Sequence, residues 1–263
     1  MTNGALAHSP PLALLALEPM RALLEFAASR LAAHEHLPPG DGHPVVIFPG
    51  LAADKAAVGP LRGFCERLGY AAYDWGRGVN TGPKGELETW IDELCADVLA
   101  RQREHGRRVS LVGWSLGGIY AREVAKKVPH AVRQVVTLGA PFGGSGEHTN
   151  VGWLYRLLSG QAPVVDEVLR RRLCTPPEVP TTAIYSRTDG VVAWQCCVER
   201  DAPQVESIEV NEASHVGLVW NPRVWSIVAD RLSQPEGGWR RYEEPAGTAS
   251  PARRMGLSAR ECS

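Results

Sequence analysis

Short apolar runs alternate with longer amphipathic stretches through the middle of the chain. Pro44–Phe48, Val109–Val112, Val132–Gly139 and Thr181–Ser186 are apolar or β-branched with little alternation. That is the pattern of strands covered on both faces. Tyr70–Trp75 and Val205–Val210 read as two more strands. The stretches between them have helical spacing. One helix is predicted over Val58–Leu68, beginning near Pro60. Another covers Glu86–Glu104, with Leu87, Ile91, Leu94 and Val98 on one face. Two more cover Gly118–Val128 and Pro222–Leu232. Strand–helix alternation predicts an α/β fold, with a mostly parallel sheet of about six strands and right-handed crossovers.

The ends and one internal segment break this rhythm. Residues 1–43 form an N-terminal arm and linker. A helix is expected from about Glu18 to Ala33, started by Pro19, with Leu23, Leu24, Ala27 and Leu31 at helical spacing. It reads either as a helix packed on the domain surface or as an apolar arm. Such an arm would serve a dimer, a membrane surface or the rim of a site. The core is expected in two parts, 44–142 and 181–233. Residues 143–180 interrupt it, with helical patterns at Trp153–Leu158 and Val164–Leu173 between a glycine cluster and Pro176-Pro177. Residues 234–263 are rich in Pro, Gly, Arg and Glu and read as a disordered tail, in which Trp239 and Tyr242 are positions for local docking.

Composition narrows the class. The 263 residues suit one large domain. Lys plus Arg is 28 and Asp plus Glu is 29, a net charge of -1 that gives no footing for nucleic acid. No stretch reaches the ~20 apolar residues of a membrane span, so membrane contact would be peripheral. No Lys or Arg precedes Arg21, so a secretory signal is not evident and a cytoplasmic location is expected. The six cysteines lack metal spacing, and Cys196-Cys197 are adjacent, which suits thiols better than disulfides. No cofactor and no metal ligand set is expected; oligomeric state is open. The loop Gly76–Pro83 lacks a complete phosphate-binding motif, and its Arg77 and Asn80 face either solvent or substrate.

The candidate chemistry centres on Gly113-Trp114-Ser115-Leu116-Gly117, a G-x-S-x-G between a strand and a helix. In that context the serine sits on a sharp strand-to-helix turn, and glycines flank it where strand and helix pack closely. From about Pro44 to about Ser233 the chain resembles the α/β-hydrolase superfamily, in its lipase and esterase branch. The family's antiparallel leading strands have no counterpart before Pro44.

The resemblance implies a triad in the order serine, acid, histidine, here Ser115, Asp189 and His215, each following a predicted strand. It implies an oxyanion hole from the N–H groups of Leu51 and Leu116. The family often has His-Gly where this chain has Pro49-Gly50. Residues 143–180 would then be a helical cap, and Trp114, Trp153, Leu154 and Leu157 would touch the substrate. The expected activity is that of a serine carboxylic-ester hydrolase acting on small ester or lipid-like substrates. Two other readings use the same residues: an acyltransferase with this triad, and an inactive hydrolase fold used for binding.

Overall fold

A computed structural model of the protein describes residues 10–31, 37–143 and 167–244. Six parallel strands form one sheet: β1 (Pro44–Phe48), β2 (Ala71–Asp74), β3 (Val109–Trp114), β4 (Val132–Leu138), β5 (Thr181–Tyr185) and β6 (Val205–Glu209). Their spatial order is β2-β1-β3-β4-β5-β6. Every residue of β1, β3, β4 and β5 is buried, which is why their sequences show no alternation. The chain steps outward from β1 to β2, then returns to lay β3 on the other side of β1. Strand order therefore reverses between β1 and β3, where open α/β sheets form a crevice at their carboxyl ends.

Helices cover both faces. α1 (Leu12–Leu31) precedes the sheet, and α2 (Lys55–Leu68), α3 (Leu87–His105) and α4 (Leu116–Lys127) follow β1, β2 and β3. α5 (Glu167–Cys174) leads to β5, and α6 (Pro222–Ser233) closes the core. On one face α2 meets α6, with the Phe64 and Trp225 rings stacked at 4.9 Å. On the other, α3 packs on α4 through Trp90, Ile91, Leu94, Ile119, Tyr120 and Val124. Asp54 caps α2 by accepting from Ala56 N–H at 2.8 Å, which starts that helix earlier than Pro60 suggests. At the end of the 143–180 insertion, α5 is fastened to α4: Arg172 pairs with Glu123, and Lys126 donates to the Arg172 carbonyl at 2.5 Å. The Trp153–Leu158 helix expected earlier in that insertion lies outside the described residues.

One expectation needs correction: α1 begins at Leu12 and runs through Pro19 rather than starting there. Beyond α6 the chain docks locally, as its sequence allowed at Tyr242: Tyr242 N–H donates to Glu206 at 3.0 Å, and the Arg240 carbonyl accepts from Arg231 at 2.8 Å. Among the described residues, five cysteines are buried and none is in a disulfide, and no helix is long and apolar enough to cross a membrane.

At the amino-terminal edge of the sheet His43 is fully buried. Its Nδ1–H donates to Asp41 at 2.5 Å and its Nε2 accepts from Ser110 Oγ at 2.7 Å, which fixes a neutral ring. Burial drives its pKa down to about 4; the Arg133 and Arg107 charges act in the same direction, and Asp41 opposes them. The unfolded chain takes up this proton near pH 6.5, whereas the native ring refuses it until about pH 4. Stability conferred by the neutral ring is therefore complete above pH 6.5 and lost as pH falls toward 4, by up to about 3 kcal/mol. Urea unfolding of the wild type should steepen in that window relative to a His43→Gln variant. Equal slopes for the two proteins would remove His43 as the cause.

Candidate active site

The residue at the turn between β3 and α4 is Ser115, held at φ 53° and ψ −122°. A side-chain-bearing residue reaches that region only under strain, and such strain clusters at functional sites. Three neighbouring glycines make the turn possible. A Cβ at Gly113 would lie 2.5 Å from the Gly117 carbonyl oxygen, and one at Gly117 would collide with the Phe48 carbonyl at the end of β1. A Cβ at Gly118 would meet Ala140 at 2.5 Å. Strand, turn and helix thus close on one another and on the end of β1. Ser115 N–H is spent on the Leu138 carbonyl at 2.8 Å.

The loop after β1 lies directly beside the serine. A Cβ on Gly50 would be 3.2 Å from Ser115 Cβ. Among the described residues, neither the Leu51 nor the Leu116 N–H donates a hydrogen bond. For Leu116, the first residue of α4, that is the ordinary state of a helix amino terminus. The loop is held open by Asn80, which is fully buried. Its side chain donates to the Pro49 carbonyl at 2.8 Å; its N–H donates to Ala53, and its carbonyl accepts from Ala52. Asn80 is thus not the solvated loop residue that its sequence context allowed. Arg77 turns away to pair with Glu93 and Asp97 on α3.

Asp189, after β5, and His215, after β6, meet on the same edge. His215 Nδ1 lies 2.6 Å from Asp189 Oδ2, and both side chains are almost completely buried. The other carboxylate oxygen of Asp189 accepts from Val191 N–H at 2.8 Å and Val192 N–H at 2.7 Å, which locks its plane. Burial opposes charge on the imidazole, but the Asp189 carboxylate, and Glu18 beyond it, outweigh burial and raise the His215 pKa above the ordinary 6.5. Gly139, which follows β4 with φ +56°, leaves room for the pair. A Cβ there would be 3.2 Å from His215 Nδ1 and 3.3 Å from Asp189 Oδ2.

Trp114 links the histidine to the turn. Its indole N–H donates to the His215 carbonyl at 3.0 Å, and the two rings are 5.9 Å apart. Trp114 is buried and belongs to the same apolar cluster as Val112, Leu138 and Leu218. Trp153, Leu154 and Leu157 lie outside the described residues. Among the described residues Ser115 Oγ makes no hydrogen bond; in unliganded sites such bonds often tighten only with substrate.

Two partners of this site were missed in the sequence. Glu18 on α1 accepts from Gly190 N–H at 2.8 Å and His215 N–H at 3.0 Å, and Glu25 accepts from Ser214 N–H at 2.8 Å. The helical spacing of α1 left its inward face open. Glu18, Ala22 and Ser29 are buried, while Leu12, Leu23, Leu24 and Leu31 stand in solvent, Leu31 at 87% exposure.

Comparison with known proteins agrees with the architecture. Aspergillus fumigatus lipase B superposes with a TM-score of 0.59 at 17% identity, over 81% of this chain and 58% of the lipase. The chain thus spans little more than half of that enzyme. The mature form of a Bacillus licheniformis lipase gives a TM-score of 0.55 at 18% identity, over 76% of this chain and 96% of the other. A monoacylglycerol lipase from Paleococcus ferrophilus gives 0.54 at 15%, over 74% and 95%. At these identities the likeness establishes the fold. No curated protein sequence matches the chain. The sequence profile of the alpha/beta hydrolase family matches residues 45–246, a span that takes in all of the sheet but Pro44, the strained serine turn and the Asp189–His215 pair. The chain therefore belongs to the alpha/beta hydrolase family.

Proposed function

We propose that the protein is a serine carboxylic-ester hydrolase. The observation that carries this reading is the buried Asp189–His215 hydrogen bond, on the sheet edge that also presents the strained Ser115. The fold's lipase and carboxylesterase neighbours support the substrate class.

Ser115 is a weak nucleophile until a base takes its proton. His215 Nε2 is that base, because Nδ1 is committed to Asp189 as a donor. As Ser115 Oγ adds to the ester carbonyl, its proton passes to His215, and negative charge builds on the carbonyl oxygen. The N–H groups of Leu51 and Leu116 receive that charge, each contributing about 3 kcal/mol of transition-state stabilisation. The imidazolium, stabilised by Asp189, gives its proton to the departing alcohol. Water then cleaves the acyl-enzyme by the same route, with His215 again as base and Ser115 as leaving group.

A panel of p-nitrophenyl esters from acetate to palmitate, paired with a fluorophosphonate probe, tests this. Cleavage of at least one ester is expected, with the probe bound covalently to Ser115 by peptide mapping. Probe attachment elsewhere, or no attachment to folded protein, would exclude the assignment.

A further inference from the structure

α1 lies before the span matched by the family profile. Its inward face is polar. Glu18 is 4% exposed. One oxygen of its carboxylate accepts from Gly190, next to Asp189, and from His215 itself; the other lies 3.3 Å from Val216 N. Arg21, one turn on, donates to the Thr188 carbonyl at 2.7 Å and to the Glu212 carbonyl at 3.0 Å. Glu25 takes Ser214 N–H and the Asn221 side chain. Glu18 and Arg21 thus bridge the loop that carries the acid and the loop that carries the histidine, and Glu25 adds a hold on the histidine loop alone. The contact is close: a Cβ on Gly190 would lie 2.6 Å from the Leu14 backbone, and one on Gly217 would strike the Glu25 carboxylate.

A buried carboxylate is costly unless hydrogen-bonded, and this one is satisfied by backbone N–H groups on both loops. Ala22 is buried and Phe26 packs edge-on against Trp220, but Leu12, Leu23, Leu24 and Leu31 stay outside. Burial of leucines therefore does not explain the orientation of the helix, whereas the polar contacts do. We propose that Glu18 is a positioning residue that ties the acid and histidine loops together and so sets the geometry of the Asp189–His215 pair. This rests on the ester-hydrolase reading for its catalytic consequence, but not for its structural one.

Two conservative variants separate reach from charge. Glu18→Gln keeps an acceptor for Gly190 and His215 at full length; Glu18→Asp keeps the charge but is too short to span both loops. Glu18→Asp is expected to lower kcat by about 10²-fold. Glu18→Gln should lose less, about threefold to tenfold, because its NH₂ meets the Val216 N–H and its charge is withdrawn from His215, with KM similar in all three proteins. The downfield Nδ1–H proton resonance of His215 provides a readout that needs no substrate: present in wild type and Glu18→Gln, broadened or lost in Glu18→Asp. Wild-type kcat and an intact resonance in Glu18→Asp would overturn the proposal, as would equal losses in the two variants. A wild type that keeps the resonance yet cleaves no ester would sink the hydrolase reading alone, and the resonance in the variants would still decide the role of Glu18.

Discussion

Ser115→Ala is expected to lower kcat for p-nitrophenyl ester cleavage by about 10⁴- to 10⁶-fold while the protein remains folded. The substitution removes one oxygen. The Cβ stays, so the strained backbone at φ 53° and the glycine packing around it are unchanged. Residual rate would come from the oxyanion donors and His215 acting on water. Ser115→Gly sharpens the test, because glycine occupies this backbone region without a side-chain clash. It should be equally inactive and more stable, by about 1–3 kcal/mol. Stability that rises while activity vanishes is the signature of strain kept for function. A Ser115→Ala enzyme retaining about a tenth of wild-type kcat would place the nucleophile elsewhere.

Asp189→Asn should cost about 10⁴-fold in kcat with little change in fold. The local hydrogen bonds dictate why. The asparagine carbonyl oxygen must take the place of the oxygen that accepts from Val191 and Val192 N–H, since an NH₂ there would face two donors. The amide NH₂ then faces His215 Nδ1, which must become an acceptor. The ring proton moves to Nε2, and the base can no longer accept from Ser115. Steady-state kinetics at the plateau of the pH profile, with the ¹⁵N shifts of His215 as the tautomer readout, checks both halves. A loss under about tenfold, or an unchanged tautomer, would show that Asp189 does not orient the ring.

Much of the fold and of the site could be read from residues alone, for physical reasons. Central strands announce themselves because both faces are covered, as in Val132–Leu138. The elbow is legible because a serine between glycines at a strand–helix junction meets a steric demand that few sequences satisfy. Asp189 and His215 follow strands, and parallel strands deliver their ends to one edge.

What escaped notice lies where backbone, not side chain, sets the requirement. The loops after β5 and β6 present N–H groups that need acceptors, and α1 supplies them with Glu18 and Glu25. Periodicity locates a helix but does not say which face turns inward when the partner surface is polar. Asn80 was hidden for the same reason: its task is to satisfy the backbone of the loop after β1. Gly139 left a fainter trace, a glycine ending a strand, whose purpose is visible only once the Asp189–His215 pair stands beside it.

Recombinant boundaries drawn from homology would begin at residue 45. A fragment so trimmed keeps all but the first residue of the sheet, along with the serine, the acid and the imidazole. It also strips the acceptors from the N–H groups of Gly190, Ser214, His215 and Val216 in a single cut. The same cut also removes Asp41 and His43, leaving Ser110 without its imidazole partner, so it draws on the fold as well as on the acid and histidine loops.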